Sequence, residues 1–261
     1  MNRIKCLMAA ALFCGLLSCQ QSKTPRSVAT EFVQQLYGLD FAAAGTLAAP
    51  GGQDLLKRAE ADLAQRTRID EERARRIATP ADATFETASF MERTNGDEVT
   101  VQNNQLTIAL RQEGGEWKVV PSPELVDALV NHPLYRDAAK TAWERLRDEY
   151  QKRDNIAREY IGMRVRNGEQ SESLSNVENA VRESLAGKAG TAAERADFIA
   201  RQDKLESLMD NGIEPARNAA ADFSLNYIVQ LSDARKRLQE LRRTYNEAAR
   251  KARDKDYPVL P

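Results

Sequence analysis

Histidine is almost missing from this chain: His132 is the only one in 261 residues. That excludes metal sites built on several imidazoles, and even a catalytic zinc needs three protein ligands. Cysteine is nearly as scarce. Of the three, Cys6 and Cys14 sit in the first apolar run, so the body of the chain carries no disulfide framework. A Gly-x-Ser-x-Gly elbow to partner His132 is missing, as are Gly-x-Gly-x-x-Gly and any phosphate loop ending in Gly-Lys-Ser/Thr. No uninterrupted apolar run reaches the roughly 18 residues of a spanning helix. Charge of one sign is lacking too. Lys and Arg number 38 against 39 Asp and Glu, which leaves nucleic acid no basic footprint. What remains is 42% hydrophobic and 30% charged, too apolar for disorder and long enough for one large domain or two modest ones. The expectation is no metal, no cofactor and no enzyme.

The amino terminus reads as an address. Arg3 and Lys5 precede mostly apolar residues from Cys6 to Leu17, the length of a signal-peptide core. Leu16-Leu17-Ser18-Cys19 then resembles the lipobox of bacterial lipoproteins. The resemblance implies cleavage between Ser18 and Cys19, a diacylglycerol on the Cys19 thiol and an acylated new amino group. Residues 1–18 would be the signal peptide and 19–23 a lipidated tether; the alternative is an ordinary secretory signal with incidental cysteines. Losing residues 1–18 leaves 36 basic against 39 acidic residues, a net charge of −3. Each buried CH₂ of an acyl chain contributes about 0.8 kcal/mol, so two or three chains anchor a protein that spans nothing. Gln20-Gln21 lacks an aspartate of inner-membrane retention, which favours the outer membrane, facing the periplasm.

Two periodicities follow. Thr24-Pro25 is a helix start, with Val28, Phe32, Val33, Leu36 and Tyr37 at helical spacing and Gly38 as the stop. Asp40 caps a short second helix, and a third is expected from Gln53 to Ile77 after a Pro50-Gly51-Gly52 turn. From Thr84 the period becomes two. Strands are expected over residues 84–92, 98–102, 105–112 and 116–120, joined at Asn95-Gly96, Asn103-Asn104 and Gly114-Gly115. This is an α+β layout. Residues 25–44, with Asp40-Phe41-Ala42-Ala43-Ala44, and the run from Ile108 through Gly114-Gly115-Glu116-Trp117-Lys118-Val119 resemble nuclear transport factor 2-like (cystatin-like) lipoprotein domains. The resemblance covers residues 24–125 and implies a curved antiparallel sheet wrapped on the first helix. Some members are enzymes with an Asp–His pair in the cone, but residues 24–125 contain no histidine.

Pro121-Ser122-Pro123 and His132-Pro133 mark an expected linker over residues 126–134. Beyond it, helix formers dominate, and residues 135–258 read as an antiparallel bundle of three, or four, helices. The first would run from Ala139 through Leu146, Tyr150, Arg153 and Tyr160 to Leu185, the second from Thr191 to Asn211-Gly212, and the third from Pro215. Trp143 and Tyr150–Ile156, Asp222-Phe223-Ser224-Leu225, and Leu241-Arg242-Arg243-Thr244-Tyr245-Asn246 are similar to the LemA family. The match is divergent: Asn155 stands where that family usually has aspartate, and Ala252-Arg253 replaces its second Tyr-Asn. The resemblance implies a helical cell-envelope protein and brings no established chemistry.

The single-residue features weigh the same way. His132 reads as a linker residue, and Arg66–Arg76 as a solvated helix face on which Glu72 and Arg76 pair, the alternative being a docking surface for an acidic partner. Tyr245 falls on the apolar face, with Tyr150 and Arg153 as candidate partners for its phenol. The function expected is a non-enzymatic, membrane-tethered scaffold that binds another envelope protein. The alternative is a carrier of a small apolar ligand, in a pocket lined by residues such as Phe32, Phe85, Phe90 and Trp117; an enzyme working in the cone is a third.

Overall fold

A computed structural model describes residues 23–96, 98–212 and 222–261, without the side chains of residues 212 and 222–224. The signal peptide, Ser18, Cys19, the tether up to residue 22 and Pro215 therefore lie outside the described residues. The layout is α+β followed by helices, mostly helical, with one four-stranded sheet.

Helix α1 (Pro25–Tyr37) opens with the Thr24 hydroxyl accepting from the Ser27 N–H and proline in the first turn. Gly38 caps its carboxyl end as expected, and the next residue, the fully buried Leu39, turns the chain away at φ 62°. Asp40 caps α2 (Phe41–Leu47) by accepting from Ala43 N–H at 2.9 Å. The expected third helix is two: α3 (Pro50–Arg66) and α4 (Ile69–Ile77). Pro50-Gly51-Gly52 is the first turn of α3 rather than a free turn. A Cβ on Gly52 would stand 2.5 Å from Pro121 Cδ and Cγ, so glycine is required there.

The expected strand over 84–92 is a correction. Pro80 starts α5 (Ala81–Phe85), a 3₁₀ turn follows over Thr87–Ser89, and only β1 (Met91–Asn95) is extended. Thr84 and Phe85 are strand formers by propensity, yet both are buried, and packing overrides propensity. The sheet continues as β2 (Glu98–Gln102), β3 (Thr107–Glu113) and β4 (Glu116–Val120), an antiparallel meander in chain order. Gly114 and Gly115 turn β3 into β4 with φ of 58° and 86°. Val99 opposes Leu110 and Val101 opposes Ile108, while Leu110 opposes Val119. These side chains share one face and pack on Phe32, Val33 and Leu36 of α1.

The expected linker over 126–134 is instead the end of one helix and the start of another, with only Asn131 between them. Ser122 caps α6 (Pro123–Val130), whose Leu125, Val126, Leu129 and Val130 join the core beneath the sheet. One residue later, His132 begins α7 (His132–Arg166), 35 residues long. The expected continuation to Leu185 breaks at Gly168, φ 81°, where Glu169 N–H reaches back to Arg164 O. Ser171 then caps α8 (Glu172–Leu185), followed by α9 (Ala192–Gly212) and α10 (Asp222–Ala252). Four helices, the larger of the two expected numbers, thus build this region among the described residues. Helices α7 and α10 run antiparallel: Trp143 meets Tyr245 near one end and Tyr160 meets Tyr227 towards the other.

Candidate functional site

The chemistry of this chain collects where α7 leaves the α+β region. His132 is 1% exposed, its ring edge-on to Phe85 at 4.9 Å and Tyr37 at 5.7 Å. Its Nε2 lies 3.3 Å from Asp254 Oδ2, off the line of a hydrogen bond, and Nδ1 has no partner. Asp254 follows the end of α10. It also receives Arg136 Nε of α7 at 3.0 Å and the Asp256 N–H at 2.8 Å, and Arg136 Nη2 reaches Asp256. Burial pushes the Asp254 carboxyl up, but His132, the Asp256 N–H and Arg136 outweigh it and hold it below its ordinary range.

Two further bonds tie the regions together. Gln105, just before β3, donates its amide to Arg253 O at 2.6 Å and to Thr84 O at 2.8 Å. The Tyr135 hydroxyl of α7 donates to Asp127 of α6 at 2.6 Å, and burial together with that carboxylate pushes the phenol up to about 12. The joint is therefore packed and polar at once. The reading of His132 as a linker residue is corrected: it is the first residue of a helix and a buried wedge between two regions.

Beside it opens a cleft of about 430 Å³ walled by α1, α3, α4 and the start of α7. Arg66, Arg75, Arg76 and Arg136 line it, with Glu72 and Asp137 as the acidic members. Glu72 and Arg76 pair at 3.1 Å, as their spacing implies, but Arg76 does not lie on a solvated face. It is 5% exposed and donates Nη1 to Tyr37 O at 2.8 Å and Leu129 O at 3.0 Å, and Nη2 to Val130 O. One guanidinium thus satisfies the carboxyl ends of both α1 and α6, where the helix dipoles favour a cation. Burial pushes Arg76 down from its ordinary value, against the pull of Glu72.

A second polar cluster lies inside the helical region. Arg153 of α7 donates to Asp154 at 3.0 and 2.7 Å, to Glu206 of α9 at 2.7 Å and to Gln202. Asp154 also accepts from Ser184 of α8 and from Gln202, and Arg235 of α10 meets Glu206. All four helices are stitched through this one network. Arg153 sits in phase with its apolar neighbours, which is why spacing alone made it look like a partner for Tyr245.

That pairing does not occur. Tyr245 is fully buried against Trp143, and its hydroxyl donates to Pro258 O at 2.8 Å. Asn246 imitates a strand: Nδ2 donates to Leu260 O at 3.2 Å and Oδ1 accepts from Leu260 N–H at 2.8 Å. Arg195 of α9 covers the Tyr257 ring at 4.4 Å. The Tyr-Asn pair is a clamp on the residues that follow α10. The residues named for a carrier pocket do not form one: Phe32, Phe85 and Phe90 are packed core, and Trp117 packs partly buried against them. Among the described residues no group of three or more His, Cys, Asp or Glu could hold a metal ion. No described helix is long and apolar enough to cross a membrane.

The Glu72–Arg76 spacing signals one part of this site in the sequence. Proline at the second position after Asn131 marks a helix start, which would have placed His132 in a first turn; Asp254 and Gln105 carry no local signal. Compared with protein-family profiles, curated proteins and solved structures, the chain matches none of them.

Proposed function

We propose that this chain is a non-enzymatic cell-envelope lipoprotein, tied to a membrane through lipid on Cys19, that works as a rigid scaffold for another envelope protein. The α+β region is read as a nuclear transport factor 2-like (cystatin-like) domain and the helical region as a divergent LemA-like bundle. The membrane is the outer one, with the folded body facing the periplasm.

One observation carries the reading. The two regions are held in one relation by a buried joint, His132–Asp254–Arg136 with Gln105–Arg253, while the space under the sheet is filled by the protein's own side chains. A carrier needs an interior that opens, and a scaffold needs surfaces held at a fixed angle. The filled interior weighs against the carrier.

Cross-linking in intact cells, read by mass spectrometry, tests the proposal. The scaffold should give one reproducible partner, joined through the same surface residues in every replicate. It should lose that partner when Asp254→Ala loosens the joint but the chain is still present at normal levels. No reproducible partner, or an apolar molecule retained at one equivalent through purification, would contradict it.

A further inference from the structure

We propose that the cleft at the start of α7 binds a small organic phosphate, its charged group at the helix N-terminus and its carbon skeleton against the apolar wall. This site goes beyond the scaffold reading and does not depend on it. Helix α7 begins with no side-chain cap and no acidic residue in its first turn. Asn131, in the capping position, spends its amide elsewhere: Nδ2 donates to Asp127 and Oδ1 accepts from Arg66. Asn131, His132, Pro133 and Leu134 line the cleft, so the His132 and Leu134 N–H groups at the start of this 35-residue helix have no side-chain acceptor beside it, where helix geometry favours an anion.

A second, independent observation is His132. Its ring is buried in the wall of this cleft, and neither ring nitrogen has a hydrogen-bond partner, an arrangement that native cores avoid unless something supplies the missing group. The cations agree. Arg66 makes no ion pair among the described residues, and Arg75 must share Glu72 with the buried Arg76. Arg136 borders the same space but is held by Asp254 and Asp256, and Asp137 opposes it. Donors on α3, α4 and α7 suit a tetrahedral group with acceptors in several directions better than a planar carboxylate. At about 430 Å³ the cleft is much larger than a phosphate ion, and Leu63, Val130 and Leu134 give the remainder an apolar lining. A soluble phosphate ester and a phospholipid headgroup share this chemistry.

The test uses residues 19–261 with Cys19→Ser, so that neither an acyl chain nor the apolar run from Cys6 to Leu17 confuses membrane binding. Glycerol 3-phosphate is titrated by calorimetry, and vesicles of phosphatidylcholine with and without phosphatidylglycerol are floated with the protein. Saturable glycerol phosphate binding without vesicle binding assigns a soluble ester. Flotation that needs phosphatidylglycerol and is competed by glycerol phosphate assigns the headgroup. In either case Arg66→Gln and Arg75→Gln, both exposed positions, should each weaken binding about tenfold, the scale of one charge-assisted hydrogen bond. Their unliganded melting should match the parent. A readout free of substitutions is hydrogen exchange, in which the ligand should slow the amides of His132 and Leu134. No saturable binding of either probe, or binding undiminished in both variants, overturns the proposal.

Discussion

Arg153→Met is the most searching perturbation of the helical region. It keeps most of the volume but removes the guanidinium, which covers the Tyr150 ring at 5.2 Å and donates to Asp154, Glu206 and Gln202. Asp154 is then a carboxylate at 1% exposure with only Ser184 and Gln202 as donors. Breaking a buried pair from one side destabilises by about 3–5 kcal/mol, because the surviving charge stays desolvated. In a chain of this size that lowers the melting temperature by about 10 °C. The two tryptophans make the assay local: Trp117 sits in the sheet and Trp143 in the helical region, so Trp117→Phe leaves a single reporter on the affected part. Urea unfolding followed at that reporter should show a lower midpoint with an unchanged slope. Replacing both partners, Arg153→Met with Asp154→Leu, should recover at least half of the loss, since the stranded charge is gone. A loss under about 1 kcal/mol for Arg153→Met, or strict additivity in the double variant, would refute the claim that this network is a coupled unit.

Other outcomes follow from single sites. Asp254 has a folded pKa below its unfolded value of 3.8, so its contribution to stability is complete above that pH. It is lost as the pH falls through the lower, folded value. Asp254→Asn should therefore flatten the acid limb of a stability–pH profile below about pH 4, and an unchanged limb would assign it to other carboxylates. Gly52→Ala should cost about 1–3 kcal/mol by chemical denaturation, because its Cβ has no room beside Pro121. Asn246→Ala removes both bonds to Leu260 and should speed hydrogen exchange of that amide without unfolding the rest, at a cost of about 1–2 kcal/mol.

What could be read in advance was local. Thr24-Pro25, Asp40 and the Gly114-Gly115 hairpin act through neighbours a few residues away, and each does in the structure what its chemistry dictates. The alternation of Leu106, Ile108 and Leu110 likewise finds its buried face. Prolines were ambiguous: Pro123 and Pro133 punctuate the chain as a linker would, yet both stand in the first turn of a helix whose inner face is buried. Gly168 looked like one more helical residue because the apolar rhythm resumes beyond it. Charged residues hid the site. Arg76 and Arg153 look solvated by type, and beside the near partners Glu72 and Asp154, carbonyls and a carboxylate brought from 39 to 54 residues away make their burial favourable. The His132–Asp254 contact spans 122 positions, and no pattern of spacing encodes a pairing at that separation.

The tether is the part of the proposal on which the rest of the cellular picture stands, and one mass decides it. Intact-mass and peptide spectrometry of the protein taken from the membrane fraction should find a chain beginning at Cys19, with a diacylglycerol on its thiol and an acyl group on its amine. A chain that keeps residues 1–18 with a bare Cys19 thiol would contradict the account.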